Sequence, residues 1–156
     1  MPQITLAKAL KLKNRLAGRL TKVQEDIATY NSVLEEQVDK FNVVNALKER
    51  EQIQESLIDV KTAIIKANAP IQGMLIRHGE LRSKIDWLKY IPIRDGVERH
   101  GYQNTEVTYV ACLKKQQLDE EIKNLEKQID GIQDEVDAFN HTTKVEVTQE
   151  TLNLAS

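Results

Sequence analysis

A stripe of positive charge near the start of the chain is the pattern in this sequence best suited to binding chemistry. Its five basic residues are Lys8, Lys11, Arg15, Arg19 and Lys22. At about 100° per residue of α-helix they fall within an arc of about 80°, because their spacing of three and four residues returns to one face. Cations at this density bind phosphates, an anionic membrane surface or an acidic protein partner.

The last helical segment offers these cations a partner of opposite charge. Eight acidic residues lie between Asp119 and Asp137, and only Lys123 and Lys127 stand against them. A basic first helix and an acidic last helix are complementary, within one chain or between two chains. We favour this pairing over nucleic acid or membrane, since the basic stripe has no interleaved aromatic residues and the isoelectric point is about 6.0.

No group of residues has the spacing of a catalytic or metal site. The histidines, His78, His100 and His141, form no His-Glu-x-x-His or similar metal spacing. The single cysteine, Cys112, excludes an internal disulfide and a multi-cysteine zinc site, and nothing in the sequence places a histidine beside it as a base. We therefore expect no catalytic residue, no bound metal and no cofactor, and a protein that is not an enzyme.

Composition and charge narrow the class of protein further. The 156 residues include 22 Lys and Arg against 24 Asp and Glu, so the formal net charge is −2. Charged residues make up 29% and aromatic residues 4%, a balance typical of exposed helix. No stretch reaches the roughly 18–20 consecutive apolar residues of a membrane span. The basic first 24 residues lack the apolar core of a signal peptide, so we expect a cytoplasmic location.

Two long segments with coiled-coil spacing must position these charges. Apolar residues recur at alternating intervals of four and three in the last segment and in the first, which runs over about 6–34. Regular seams of this kind face another helix, so we expect a homo-oligomer or a place in a larger assembly. The seam residues are Leu118, Ile122, Leu125, Ile129, Ile132, Val136 and Phe139 in the last segment, and Leu16, Leu20, Val23 and Ile27 in the first.

Two further helices and a hairpin complete the predicted architecture. The helices run over about 45–68 and 74–91, and each is stopped by a following proline. Turn-forming residues and then a β-branched run predict a β-hairpin of 93–99 against 105–111. Because an isolated hairpin is marginal in water, we expect Trp87 and the tyrosines near it to pack the hairpin onto the helices.

The predicted fold is mainly α, with long antiparallel helices in coiled-coil packing plus a small β-hairpin. We take residues 1–147 as a single elongated helical domain with the hairpin insert at about 93–111. Residues 148–156 form a C-terminal tail with little to hold it. Thr5 is the expected N-cap of the first helix, and 144–147 is the expected site of a short strand.

Five stretches of the sequence also carry a family likeness. They are ITLAKAL at 4–10, IIKAN at 64–68, ELRSKI at 80–85, YQNTEV at 102–107 and FNHTT at 139–143. In this order and spacing, over nearly the whole chain, they resemble the septicolysin-like helical proteins of bacteria and their phages. The resemblance implies a helical, oligomeric fold and no catalytic residue to carry over. The chain departs from the family pattern at the connector 31–45, which lacks an acidic, proline-containing loop, and at His141, where a tryptophan is expected.

These patterns lead to two functional hypotheses. The first is a non-enzymatic structural or assembly protein that acts through coiled-coil oligomerisation, most concretely as a component of a phage particle or a similar large assembly. Its partners are other copies of itself and other proteins of the assembly, in the cytoplasm or in a virion assembled there. The alternative is a binding module whose basic N-terminal helix contacts nucleic acid or an anionic membrane.

Overall fold

The computed structural model describes residues 1–156 and confirms a mainly α fold with a small β-hairpin. Short 3₁₀ turns at Glu35–Lys40 and Ala69–Ile71 precede the second and third helices. The five α-helices are α1 (Leu6–Tyr30), α2 (Val43–Asn68), α3 (Gln72–Lys89), α4 (Lys115–Thr142) and α5 (Gln149–Leu154). The four strands are β1 (Gln3–Thr5), β2 (Gly96–His100), β3 (Thr105–Tyr109) and β4 (Lys144–Glu146).

Local sequence signals explain where the first two helices begin and end. The Thr5 side chain accepts a hydrogen bond from the backbone N–H of Lys8 at 3.2 Å, which confirms it as the N-cap of α1. The Asn42 side chain caps α2 in the same way by accepting from the N–H of Asn45. Helix α2 ends at Asn68, two residues before Pro70, as the proline predicts.

The chain divides into two units rather than the single domain expected over 1–147. Unit 1 comprises residues 1–71 and 137–156, and unit 2 comprises residues 72–136. The physical reason is that the buried apolar residues form two separate clusters, one within each unit. Helix spacing predicts which residues are apolar on one face, but it does not say how many cores they form.

Unit 1 is built on the packing of α1 against α2. Leu6, Leu16 and Ile53 are completely buried in its core. Strand β1 pairs antiparallel with β4, so that Ile4 lies opposite Val145. This pairing joins the two ends of the chain, and the expected strand at 144–147 is confirmed at Lys144–Glu146.

The predicted loose tail at 148–156 is wrong, because most of it is helix α5. The side chain of Thr148 caps α5 by accepting from the N–H of Thr151, which is itself buried. Leu152 and Leu154 pack against the core of unit 1. A six-residue helix has too few turns to show a clear apolar period, so the sequence pattern did not reveal it.

Unit 2 contains α3, the hairpin and most of α4. Ile85 and Leu88 of α3 pack against Leu118 and Leu125 of α4 to form its small core. Strands β2 and β3 are antiparallel, with Gly96 opposite Tyr109 and His100 opposite Thr105. Gly101 and Asn104 adopt positive φ in the connecting turn, which glycine and asparagine tolerate.

Candidate functional site

Most residues of the seam predicted on α4 are buried or half-buried by contacts within the chain. Leu118 and Leu125 are buried against α3, and Ile122 and Ile129 are half-buried on the same cluster. Of the remaining seam positions, Val136 is buried, Ile132 is half-buried, and Phe139 packs on the core of unit 1. Little of the seam therefore remains for a neighbouring chain.

The seam predicted on α1 is likewise an internal packing surface. Leu16 and Val23 are buried in the core that α1 shares with α2, and Leu20 and Ile27 pack against it half-buried. The coiled-coil spacing thus identifies the residues that pack, and their partner helix belongs to the same chain. A role for these residues in oligomerisation stays a prediction.

One member of the basic stripe is held by unit 1 itself. The guanidinium of Arg19 donates to Oε1 of Glu49 on α2, from Nε at 3.2 Å and from Nη2 at 2.7 Å. Its Nη1 donates to the backbone carbonyl of Leu154 at the end of α5. The expected pairing of this residue with the acids of the last helix is therefore wrong, because Arg19 pairs with Glu49 on α2, the helix that packs against α1.

The other four cations of the stripe make no ion pair. Lys8, Lys11, Arg15 and Lys22 are all exposed, and no carboxylate lies within 4.0 Å of any of them. The first three border a groove of about 330 Å³ whose apolar lining comes from Ile4, Leu12 and Leu152. Their charge is available to an anionic partner.

Unit 2 carries large apolar side chains on its outside. Trp87 is 61% exposed, Tyr90 is 86% exposed and Tyr102 is fully exposed. The expectation that these rings pack the hairpin onto the helices is wrong. Trp87 precedes the inward-facing Leu88, so its side chain points about 100° away from the α3 seam, and this offset is the sequence signal that could have placed it outside.

A groove of about 510 Å³ lies beside the base of the hairpin in unit 2. Most of its lining is apolar, from residues that flank the hairpin, and Arg94 also lines it. The thiol of Cys112 is exposed and lines it. The other lining residues are Ile91, Pro92, Tyr109, Val110, Ala111 and Leu113. The groove offers a surface to an apolar partner, which the spacing of the sequence did not predict.

Two of the three histidines, His100 and His141, lie beside polar groups. His100 Nε2 lies 3.3 Å from Glu98 Oε2 and 3.4 Å from the hydroxyl of Tyr109. His141 Nδ1 lies 2.7 Å from the backbone carbonyl of Asp137, in the last turn of α4. No three metal-ligating side chains come together in the chain. None of the helices combines the length and apolarity that crossing a bilayer requires.

An ion pair at the base of the hairpin holds the carboxylate of Asp95. Nζ of Lys114 donates to Oδ2 of Asp95, and this hydrogen bond lowers the pKa of Asp95 from its ordinary value of 3.8. The carboxylate is exposed, so the pair acts as a surface tether between the start of the hairpin and the start of α4.

Comparison with known proteins adds nothing to this geometry. No protein-family model, curated protein or solved structure matches the chain. The resemblance to septicolysin-like proteins therefore stays a prediction from the sequence.

Proposed function

We propose that this chain is a non-enzymatic assembly protein that associates with further copies of itself through the apolar surface of unit 2. The observation that carries this proposal is the exposure of large apolar side chains on that unit. We call them the apolar set: Trp87, Tyr90, Ile93, Val97, Val110 and Leu113. Large exposed apolar surface is typical of a protein interaction site.

The core of unit 2 is small for the chain it must hold. Only four buried residues form its cluster, and the hairpin is exposed along both strands except for half-buried Glu98 and Tyr109. A two-stranded hairpin is marginal in water, and its open edges leave backbone groups without strand partners. A neighbour that covers the hairpin and the apolar set would stabilise both.

A second copy of the chain is the partner that this surface fits best. Each fully buried aromatic side chain contributes about 150–250 Å². Trp87 and Tyr90, together with the aliphatic members of the apolar set, supply a large part of the roughly 800 Å² per partner of a standard interface. Isologous contact uses the same patch on both copies, so no second surface is needed.

The more specific proposal is a component of a phage particle or a similar large assembly. Its support is the resemblance of the sequence to septicolysin-like proteins, which occur in bacteria and phages. On this proposal the further partners are other proteins of the assembly, and the location is the cytoplasm or a virion assembled there.

The decisive experiment measures the mass of the full chain in solution by light scattering at low and high salt. We expect an oligomer that survives high salt, because burial of apolar surface is not screened by ions. At high salt the triple variant W87S/V110S/L113S should have the mass of the monomer. A matched control, V44S/I65S, removes equally exposed apolar residues of unit 1 and should leave the mass unchanged. A wild-type monomer at every protein concentration would exclude the proposal.

A second candidate function is a binding module that uses the basic stripe. Its support is that four of the five cations make no ion pair. Insertion of α1 into a membrane is disfavoured, because its apolar side, including Leu6 and Leu16, is buried against α2. Nucleic-acid phosphate is therefore the anion to test. Binding of a short DNA duplex that weakens with salt and disappears in R15E would favour this candidate.

A further inference from the structure

Three cations of the basic stripe form a set with a definite spacing. Lys11, Arg15 and Lys22 are exposed and without an ion pair, and the intervals between them are four and seven residues. At about 1.5 Å per residue these intervals are about 6 and 10.5 Å along the axis of α1. At about 100° per residue the three side chains leave the helix within an arc of about 40°.

Helix α4 carries three acids with the same spacing in the opposite direction. Asp119, Glu126 and Asp130 are exposed and have no ion pair, and their intervals are seven and then four residues. They too leave their helix within an arc of about 40°. Glu121 of α4 pairs with Lys84 of α3 at 2.8 Å and points away from this arc.

We propose that α1 of one copy lies antiparallel along α4 of a second copy. In this register Lys11 meets Asp130, Arg15 meets Glu126 and Lys22 meets Asp119, because both sets of intervals then coincide. The proposal rests on the proposed function and deepens it by naming a second contact between copies. Because this contact joins two different faces, each copy can bind a further copy in the same way. The contact therefore extends the assembly beyond the oligomer that the apolar set forms.

The antiparallel register is favoured over the parallel one by the state of Arg19. If the two helices ran parallel, the cations opposite Asp119, Glu126 and Asp130 would need intervals of seven and then four residues. Lys8, Arg15 and Arg19 have those intervals. Arg19, however, is already bound to Glu49 and to the carbonyl of Leu154. The antiparallel match uses only cations that have no partner. It therefore gains new ion pairs without breaking an existing one.

The remaining charges of α4 are compatible with the same register. Lys123 falls opposite Gly18, and Lys127 falls opposite Asn14. Neither lysine meets a cation of α1, so the alignment creates no like-charge pair.

The test begins with reversal of the basic set in the full chain, K11E/R15E/K22E. At low salt we expect this variant to fall from the wild-type mass to the mass that wild type has at high salt, because each reversed pair becomes repulsive. Its self-association at the stripes should weaken by at least about tenfold, since exposed ion pairs are individually weak and three act together. The control K48E/K61E/K66E makes the same change in net charge on exposed lysines of α2 and should keep the wild-type mass.

The second arm reverses the acidic set, D119K/E126K/D130K, and should cause the same loss of mass. Mixing the two reversed variants is the discriminating step. In each variant alone, α1 of one copy and α4 of the next carry charges of the same sign. In the mixture, the acidic α1 of one variant meets the basic α4 of the other, so the wild-type mass should return. Circular dichroism of each variant verifies that the helices remain folded. If K11E/R15E/K22E unfolds, the neutral variant K11Q/R15Q/K22Q replaces it, and an intermediate loss of mass is then expected.

The outcomes separate this inference from the proposed function. If the mixture gains no mass over its components, or if neither reversal lowers the mass of an oligomeric wild type, the stripe contact is wrong while self-association through the apolar set stands. A wild type that is monomeric at every salt concentration overturns both. Loss of DNA binding in the basic-reversed variant, with no change of mass, would overturn the inference and assign the stripe to nucleic acid.

Discussion

The two units of the chain reach stability in different ways. Unit 1 buries a continuous row of apolar residues between α1 and α2, and strands β1 and β4 pair its two chain ends. Unit 2 buries four residues between α3 and α4 and leaves its hairpin and several large side chains exposed. Both units expose large apolar side chains, but unit 2 does so around a core cluster of only four buried residues.

The proposed self-association rests on this difference and not on the regularity of the helices. Coiled-coil spacing is strongest on α4, yet its seam is mostly occupied within the chain. The residues suited to a partner lie off the seam, where spacing gives no signal. An amphipathic pattern therefore predicts which side of a helix is buried, and only the folded arrangement of the helices shows whether its partner belongs to the same chain.

The largest expected loss of stability comes from a substitution in the core of unit 1. Leu16 is completely buried, so Leu16→Ala should lower the free energy of unfolding by about 3–5 kcal/mol through lost burial and an unfilled cavity. Urea unfolding followed by circular dichroism measures it. Leu34→Ala, at an exposed position, should change the free energy of unfolding by less than about 0.5 kcal/mol. Equal losses in the two variants would contradict the assigned core.

A similar substitution in the core of unit 2 should cause a smaller loss of stability, confined to that unit. Ile85 is buried in a cluster of only four buried residues, so Ile85→Ala should lower local stability by about 2–3 kcal/mol. Amide hydrogen exchange should accelerate in α3 and the hairpin while protection in α1 remains. Faster exchange in α1 to the same extent would mean that the two units unfold as one.

Much of unit 1 and unit 2 was predictable from local pattern. The seams on α1 and α4, the N-cap at Thr5 and the hairpin turn follow from spacing and residue type, since these signals act over a few residues. The pairing of β1 with β4 was not predictable, because Gln3 and Glu146 are joined by tertiary structure alone. Three-residue strands also have too little alternation to identify a partner.

The candidate sites were predicted in part for a related reason. The basic stripe was visible as a charge pattern, but the bonds of Arg19 to Glu49 and to the carbonyl of Leu154 depend on how α2 and α5 pack in unit 1. The exposed position of Tyr90 was missed because a large aromatic residue is ordinarily counted as core. Exposure is a property of the whole arrangement of helices, and a single segment does not encode it.

The cap at the start of α1 gives a smaller effect that is specific to unit 1. Thr5→Ala removes the acceptor for the N–H of Lys8 and should lower the free energy of unfolding by about 1 kcal/mol. Thr5→Ser keeps a hydroxyl acceptor and should retain most of that stability. The comparison is made by thermal unfolding of both variants. Equal destabilisation by serine and alanine would show that the hydroxyl is not what stabilises this helix end.

The smallest expected effect concerns the surface tether of unit 2. The hydrogen bond from Lys114 lowers the pKa of Asp95, so ionised Asp95 stabilises the fold at pH values above the ordinary 3.8, and this contribution is lost as pH falls through the lower folded pKa. Titration of the Asp95 carboxyl by NMR should give a value below 3.8 in the wild type and a return towards it in Lys114→Gln. The midpoint of thermal unfolding at neutral pH should move little, because the pair is exposed. A large drop in that midpoint would instead mean that the hairpin is held on unit 2 by this one contact.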